Sequence, residues 1–423
     1  MERKKLGPLL LSGLIIGPVL GSGIILLPPM IYDLIGGFSI IAWGLIMALG
    51  FFVAYIFGKM AIVFPGESGM ATAVDVAFGP RYKELASSFL MMAGSVGPIA
   101  VLMTASEYLS VWIPWDIRTE FVGYLLLMFC YVILLREVSF VGKVSFVFST
   151  LAVLVLVGGG LSTLLFQSES AWTITETFEI KSFGYSILLL FWALVGWEII
   201  GSYSMEVKDR EKTIMRAVFF SAAIVTLVTM IVSAAIQWGT FQGTNSSTIL
   251  ALIIMPLFKS WSLPLIALIT TALCISTYLL VIGAVGRLIA EKVTGTKLST
   301  WLGKRSKSGI PVGSITFMFM IHHIAFLLLY FGYLEIERIV AIANGFFLAN
   351  ALVGLLAALK LFTNFVILLV CVFLILSFSL ILSFSSWWVL LMIFLTILGI
   401  VILPLVKEKR IIKQSFDYMQ KVE

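Results

Sequence analysis

The chain has 423 residues, 61% of them hydrophobic and 12% charged, with a mean hydropathy of +1.11. Soluble domains carry about 25% charged residues, so a water-soluble protein is excluded and the length is divided into membrane spans. The formal charge of +6 is spread along the chain and makes no single basic patch, which excludes a nucleic-acid surface.

A crossing needs about 20 apolar residues. Charge-free runs occupy 6–32, 34–58, 85–106, 121–135, 144–168, 182–197, 217–258, 260–286, 308–334, 339–359 and 361–406. The first is too long for the apolar core of a signal peptide and has no small-residue cleavage site, so it is read as a retained helix. The run 217–258 is read as one crossing, a polar turn over 242–248 and a short helix that does not cross. The run 361–406 holds two crossings with a turn near 383–386. Twelve crossings result. With both termini cytoplasmic, every Lys and Arg except Arg118, Lys181, Lys259 and Arg338 falls inside, a strong positive-inside bias. The basic tail 407–423 reads as a solvated end near anionic lipid. Cys130, Cys274 and Cys371 lie singly in apolar runs and give neither metal spacing nor a disulfide framework.

Two spans carry glycine at mid-length. The first reads Gly17-Pro18-Val19-Leu20-Gly21-Ser22-Gly23-Ile24, followed by Pro28-Pro29; the sixth reads Phe191-Trp192-Ala193-Leu194-Val195-Gly196-Trp197-Glu198. Gly and Pro weaken a helix interior, and irregular backbone at membrane depth is tolerated only where it lines a cavity or is covered by protein. An interrupted helix exposes N–H groups at one new end and carbonyls at the other. Gly21-Ser22-Gly23 then suits a carboxylate and the Phe191–Val195 carbonyls suit an ammonium, the two charges of an amino acid. A lone Gly-Ser-Gly is equally well explained by close helix packing. Interruptions at corresponding members of two five-helix halves point instead to a transporter site.

At these residues the chain resembles the amino acid–polyamine–organocation (APC) superfamily of permeases. Gly21-Ser22-Gly23-Ile24 with Pro28 resembles its G-S-G-[IV]-x-x-x-P motif, and Trp192–Glu198 its W-x-F-x-G-x-E stretch, with Leu194 in place of Phe. Glu206-Val207-Lys208-Asp209 resembles E-x-K-N-P, with Arg210 where Pro is usual. Arg287-Leu288 and Gly309-Ile310-Pro311 resemble the S-R-L and G-x-P marks, with Gly286 replacing Ser. Pro65 and Gly69 fit P-x-x-[GS]-G loosely. The resemblance runs from residue 6 to about 405. It implies an all-α membrane protein of the LeuT-like fold, with twelve transmembrane helices. Residues 1–168 (spans one to five) and 182–359 (spans six to ten) would be inverted repeats, 361–406 two peripheral spans and 407–423 a cytoplasmic tail. The glycine-proline-rich first helix looks most like neutral amino-acid permeases, including the methionine and branched-chain exporter branch.

The expected substrate site is Leu20, Gly21, Ser22, Gly23 and Ile24 with Phe191, Trp192, Ala193, Val195 and Gly196. The resemblance adds Ala93, Gly94 and Pro98 of span three and makes Trp192 a gate. It also makes Ser276 and Thr277 of span eight candidate sodium ligands. Ser149 and Thr150 lie where proton-coupled relatives carry a Lys, so the coupling ion, H+ or Na+, is open. Glu198 sits just past the second interruption. A carboxylate at bilayer depth costs roughly 3 kcal/mol, so it is either a coupling or gating group or a buried carboxyl bonded to backbone. Glu107 reads as snorkelling to the interface. His322 and His323 suggest proton traffic, or, more simply, neutral imidazoles bonded to a neighbouring helix.

No nucleophile–base pair, metal triad or phosphate loop appears, so no enzyme and no cofactor are expected. The function expected is alternating-access transport of neutral, largely apolar amino acids as an antiporter or symporter in the plasma membrane, by a monomer or homodimer with the lipid bilayer as its surroundings. The alternative is a non-transporting amino-acid receptor subunit on the same fold.

Overall fold

A computed structural model describes residues 6–113, 117–168, 174, 177–239 and 246–405, without the side chains of 246–248 and 337. The expected tail 407–423 and residues 242–245 of the expected turn 242–248 lie outside the described residues; 246–248 are not turn but the first residues of a helix, whose own N–H···O=C bonds serve the backbone better in an apolar surround. All regular structure among the described residues is helical, apart from two isolated bridges, Leu6 with Val207 and Ser168 with Gly239. That is what an apolar solvent demands: a helix satisfies its own backbone N–H and C=O groups.

The order begins with α1 (Pro8–Leu20), α2 (Gly23–Ile35), α3 (Ser39–Val63), the short α4 (Met70–Phe78), α5 (Pro80–Ser110), α6 (Thr119–Leu134) and α7 (Val138–Phe166). Next come α8 (Ile180–Leu190), the 3-10 segments Phe191–Leu194 and Glu198–Glu206, α9 (Arg210–Trp238), the short α10 (Ser246–Phe258) and α11 (Ser262–Lys292). The chain closes with α12 (Val312–Tyr330), α13 (Ile336–Leu361), α14 (Phe365–Ser383) and α15 (Trp387–Ile397), which runs on as a π-turn over Leu398–Ile402.

Ten helical stretches among the described residues are long and apolar enough to cross a membrane. The first, Pro8–Val63, is 56 residues long and contains α1, α2 and α3; α6 is apolar but shorter. Burial sorts the helices. In Ile249–Lys292, 83% of the most apolar stretch is buried, against 28% in α14 and 17% in Trp387–Leu405. The centre is therefore α1, α5, α8 and α11, with α3, α7, α9 and α13 packed around it, and α14 and α15 outside against α13.

Exposed helix ends are capped across the bundle. Gln237 of α9 accepts from Ser39 Oγ (2.8 Å) and the Ile40 amide (3.1 Å) through Oε1, and its Nε2 donates to Gly37 O (3.2 Å). It thereby satisfies first-turn groups of α3 that have no intrahelical partner. Asn364 does the same locally for α14, its Oδ1 accepting from the amides of Val366 and Ile367.

Candidate functional site

The first interruption is set by Gly21. The Gly21 amide closes the last turn of α1 onto Gly17 O at 2.7 Å, and its φ of 42° and ψ of −146° turn the chain out of the helix. An L-residue there is strained, and a Cβ would meet Pro18 O at 2.6 Å and Thr277 Oγ1 at 2.8 Å. α2 restarts at once: Ser22 O accepts from the amides of Ile25 and Leu26. Its first amides, including those of Gly23 and Ile24, have no preceding turn to bond. Leu20, Ser22 and Ile24 are all buried.

The second interruption is longer. α8 stops at Leu190, the 3-10 turn Phe191–Leu194 follows, Val195 is extended, and Gly196 has a φ of 123°. The chain then resumes as a 3-10 segment at Glu198. The Glu198 carboxylate folds back on this start, its Oε2 accepting from the Gly196 amide at 3.2 Å. Glu198 is 5% exposed and its Oε1 has no partner among the described residues. A small void there is lined by Phe57, Met60 and Ala61 of α3 and Met70 and Ala73 of α4.

The two interruptions meet. Trp192 Nε1 donates to Ser22 Oγ at 3.2 Å. The indole edge lies 3.3 Å from where a Cβ on Gly23 would stand, and its far end faces Gly97 of α5. Ala343 and Phe347 of α13 close on the same glycine. The indole thus spans α2 and α5 beside α13. Ala193, Val195 and Gly196 follow it, with Gly196 against Val19 and Leu280. The Phe191 ring turns outward, edge-on to Phe378 of α14 at 5.1 Å, so its backbone alone belongs to the interruption.

Two of the span-three residues sit differently from Trp192. A Cβ on Gly94 would strike Val285 of α11 at 2.6 Å, so Gly94 is a helix-packing position, and Gly97 is the residue that meets the indole. Ala93 is fully buried. Pro98 acts through the backbone. Having no N–H, it leaves the Gly94 carbonyl without its helical partner, and His322 of α12 supplies one, with Nε2 3.1 Å from Gly94 O. A carbonyl only accepts, so Nε2 carries the hydrogen, and in that neutral tautomer Nδ1 accepts from the Tyr278 hydroxyl of α11 at 2.8 Å. His322 thus ties α12 to α5 and α11. His323 packs among Tyr124 and Phe319. Glu107 is exposed near the end of α5.

Below Gly21, Thr277 Oγ1 donates to Leu273 O at 3.0 Å and lies 3.4 Å from Pro18 O. Ser276 Oγ is buried beside Gly17 with no partner among the described residues, and Ser149 borders the same glycine.

Beyond the second interruption the chain is pinned. The Tyr203 hydroxyl donates to Leu280 O (2.8 Å), and Arg287 lies over the Tyr203 ring at 4.5 Å. The same Arg287 forks onto both Glu206 oxygens at 3.0 and 3.1 Å and donates to Gly283 O. Leu6 bridges the strand-like segment there, its amide donating to Glu206 O and its carbonyl accepting from Lys208 N. Lys83 pairs with Asp75 and Glu291, Lys292 with Glu84, and Arg305 with Glu67 at this end. Glu206 and Arg287 stand 81 positions apart in the chain, which is why sequence reading found them only as separate motifs. At the far end of α2, by contrast, a cavity of about 360 Å3 opens between Asp33, Phe38, Phe178, Glu179 and Phe183.

Sequence reading missed Gly97, Ala343 and Phe347, which stand around the Trp192 indole. Nothing in span ten distinguishes its site-facing residues from packing residues until α13 is seen against α5.

Comparison with known proteins agrees with this architecture. The profile of the amino acid permease family matches residues 6–416. The L-methionine/branched-chain amino acid exporter YjeH of Escherichia coli (strain K12) is 22% identical over 333 residues, 77% of this chain and 78% of that one. The cadaverine/lysine antiporter of the same strain is 24% identical over 324 residues, 73% of this chain and 71% of its own. The uncharacterised amino acid permease YecA of Bacillus subtilis (strain 168) is 22% identical over about half of each chain.

Proposed function

The chain belongs to the amino acid permease family of the APC superfamily, whose members are multi-pass membrane transporters and not enzymes, and within it we propose that it carries neutral, largely apolar amino acids by alternating access. The observation that carries this reading is the Trp192–Ser22 hydrogen bond, because it brings the amide end of one interrupted helix to the carbonyl end of the other. The carboxylate lies on the amides at Ser22–Gly23 and the ammonium on carbonyls of 191–195. Trp192 covers the pair as gate, and Glu198 couples its protonation to movement of the 3-10 segment.

Charge selects the substrate class. The side chains around Trp192 (Ile24, Ala193, Val195, Ala343, Phe347) carry no charge. Glu198 holds the Gly196 amide through Oε2 and borders the void against α3 and α4, away from Trp192. A cationic side chain such as lysine would leave an unpaired charge in a dry pocket, which costs several kcal/mol. An apolar one gains about 0.8 kcal/mol per buried methylene. This favours substrates like those in the name of the methionine and branched-chain exporter over those of the cadaverine/lysine antiporter.

Twelve crossings follow if Pro8–Val63 crosses twice and α6 once, and the positive-inside bias then sets both termini in the cytoplasm. The reading keeps 1–168 and 182–359 as inverted repeats, with α14 and α15 of 361–406 peripheral and 407–423 as the tail. The oxygens of Ser276, Thr277 and Pro18 offer neutral ligands for Na+, and Glu198 offers a proton site. Imposed gradients of each ion distinguish the two.

The test is purified protein in liposomes with labelled amino acids. Leucine, isoleucine, valine and methionine are expected to be taken up and to compete with one another. Arginine, lysine, glutamate and aspartate are expected not to compete. Tight binding without flux would instead establish a receptor.

A further inference from the structure

Asn344 of α13 is a polar side chain set against the last turn of α8, just before Trp192. It is 7% exposed. Its Nδ2 donates to Leu188 O at 2.9 Å. Leu188 belongs to the last turn of α8, which stops at Leu190 and where end carbonyls run short of helical donors. Because a carbonyl only accepts, the orientation of the Asn344 amide is fixed, and the end left over is Oδ1. That atom is buried and has no partner among the described residues. Most buried polar atoms in folded proteins are paired, so Oδ1 is an acceptor open to a donor from outside the described chain.

The helix geometry says where. Phe347 lies at i+4 from Ala343 and i+3 from Asn344, so Asn344 borders the face those two residues present, and its bond to Leu188 O sets it against the end of α8. Ala343 and Phe347 meet Gly97, the glycine that faces the Trp192 indole. Gly345, on another face, packs on Val389 of α15. Asn344 therefore stands at the second interruption, at the level of the turn where Trp192 leaves α8.

We propose that Asn344 is a substrate-binding residue whose Oδ1 accepts a hydrogen bond from the α-ammonium of the bound amino acid, while its Nδ2 holds the end of α8. An ammonium has three N–H donors. The carbonyls of 191–195 take part of them, and Asn344 completes the set with a neutral acceptor. No buried carboxylate is then needed, in keeping with a zwitterion whose charge is balanced by its own carboxylate. The same side chain couples occupancy of the site to the position of α8. This inference rests on the reading of the site under Proposed function.

The experiment measures binding of leucine and of 4-methylpentanoate, which is leucine with hydrogen in place of the ammonium, to purified wild type, Asn344→Leu and Asn344→Asp. The Leu variant removes both ends of the amide; the Asp variant keeps an acceptor and removes the donor to Leu188. If Oδ1 binds the ammonium, Asn344→Leu weakens leucine by about tenfold to a hundredfold and 4-methylpentanoate far less, whereas Asn344→Asp stays within about threefold of wild type for leucine. If Asn344 serves only to cap α8, the Asp variant falls as far as the Leu variant and both ligands weaken together, which overturns the proposal. Should neither variant fold, Asn344→Ser is read by the same ratio: a falling preference for leucine over 4-methylpentanoate supports the assignment and an unchanged one overturns it. A wild-type protein that binds no neutral amino acid defeats the transport reading itself, whereas wild-type binding with an unmoved ratio defeats this inference alone.

Discussion

At Ser22 the hydroxyl accepts from the Trp192 indole, and a hydroxyl that accepts still has its own hydrogen to give, which the proposed site directs to the substrate carboxylate. Ser22→Ala removes both bonds and leaves the indole N–H unpaired, at a cost of about 1–3 kcal/mol. The expected result is leucine binding weakened about tenfold or more, read by competition in detergent. Gly23→Val is expected to abolish binding in protein that still folds, since its Cβ would stand 3.3 Å from the indole edge; near-wild-type affinity would remove the first interruption from the site. Glu198→Gln keeps an acceptor for the Gly196 amide and loses the proton. The pH dependence of transport is expected to flatten with little change in substrate affinity. An unchanged pH–rate profile would reduce Glu198 to a structural carboxyl.

Among whole elements, α5 shows how a helix breaker can be repaired from outside. Pro98 frees the Gly94 carbonyl, and His322 fills it while bonding Tyr278. The histidine pair in the sequence suggests proton traffic, but the geometry of His322 is that of a three-helix tie. His322→Leu leaves a carbonyl and a phenol without these bonds and is expected to destabilise the protein by about 1–3 kcal/mol, seen as a lower melting temperature in detergent. Pro98→Ala in the same chain restores the Gly94 bond within α5 and is expected to recover part of that loss. No recovery would mean that the Tyr278 bond carries the effect.

Across the whole molecule, the described residues close one end by Arg287 on Glu206 and Tyr203, by the Leu6–Val207 bridge and by the surrounding ion pairs; towards the other end they form the Ser168–Gly239 bridge and a cavity between Asp33 and Glu179. Arg287 is nearly buried, and removing one partner of a buried pair costs about 3–5 kcal/mol, here charged to the closed arrangement. Arg287→Ala is therefore expected to open this end. Ser145, fully buried one turn from Gly142 and its contact with Leu6, reports it: a Ser145→Cys probe in a chain lacking Cys130, Cys274 and Cys371 should react with a maleimide several-fold faster when Arg287 is replaced. Equal rates would mean that other contacts hold the end shut.

The amino-acid sequence alone determined that this is a helical membrane protein, because apolar length acts locally, and for the same reason it marked Gly21 and Gly196, two glycines at which the backbone takes a positive φ. It also supplied the family motifs. It could not decide which face of a helix meets which neighbour. In spans apolar on every side, Gly94 and Gly97 look alike, and only the packing of α5 against α11 and α13 sends one to Val285 and the other to Trp192. The role of Asn344, the partners of His322 and the pairing of Glu206 with Arg287 were hidden for the same reason, although the sequence already allowed His322 to be a neutral imidazole bonded to a neighbouring helix. Each acts on a group far away in the chain, and a hydrogen bond between distant helices leaves no periodic trace in either one.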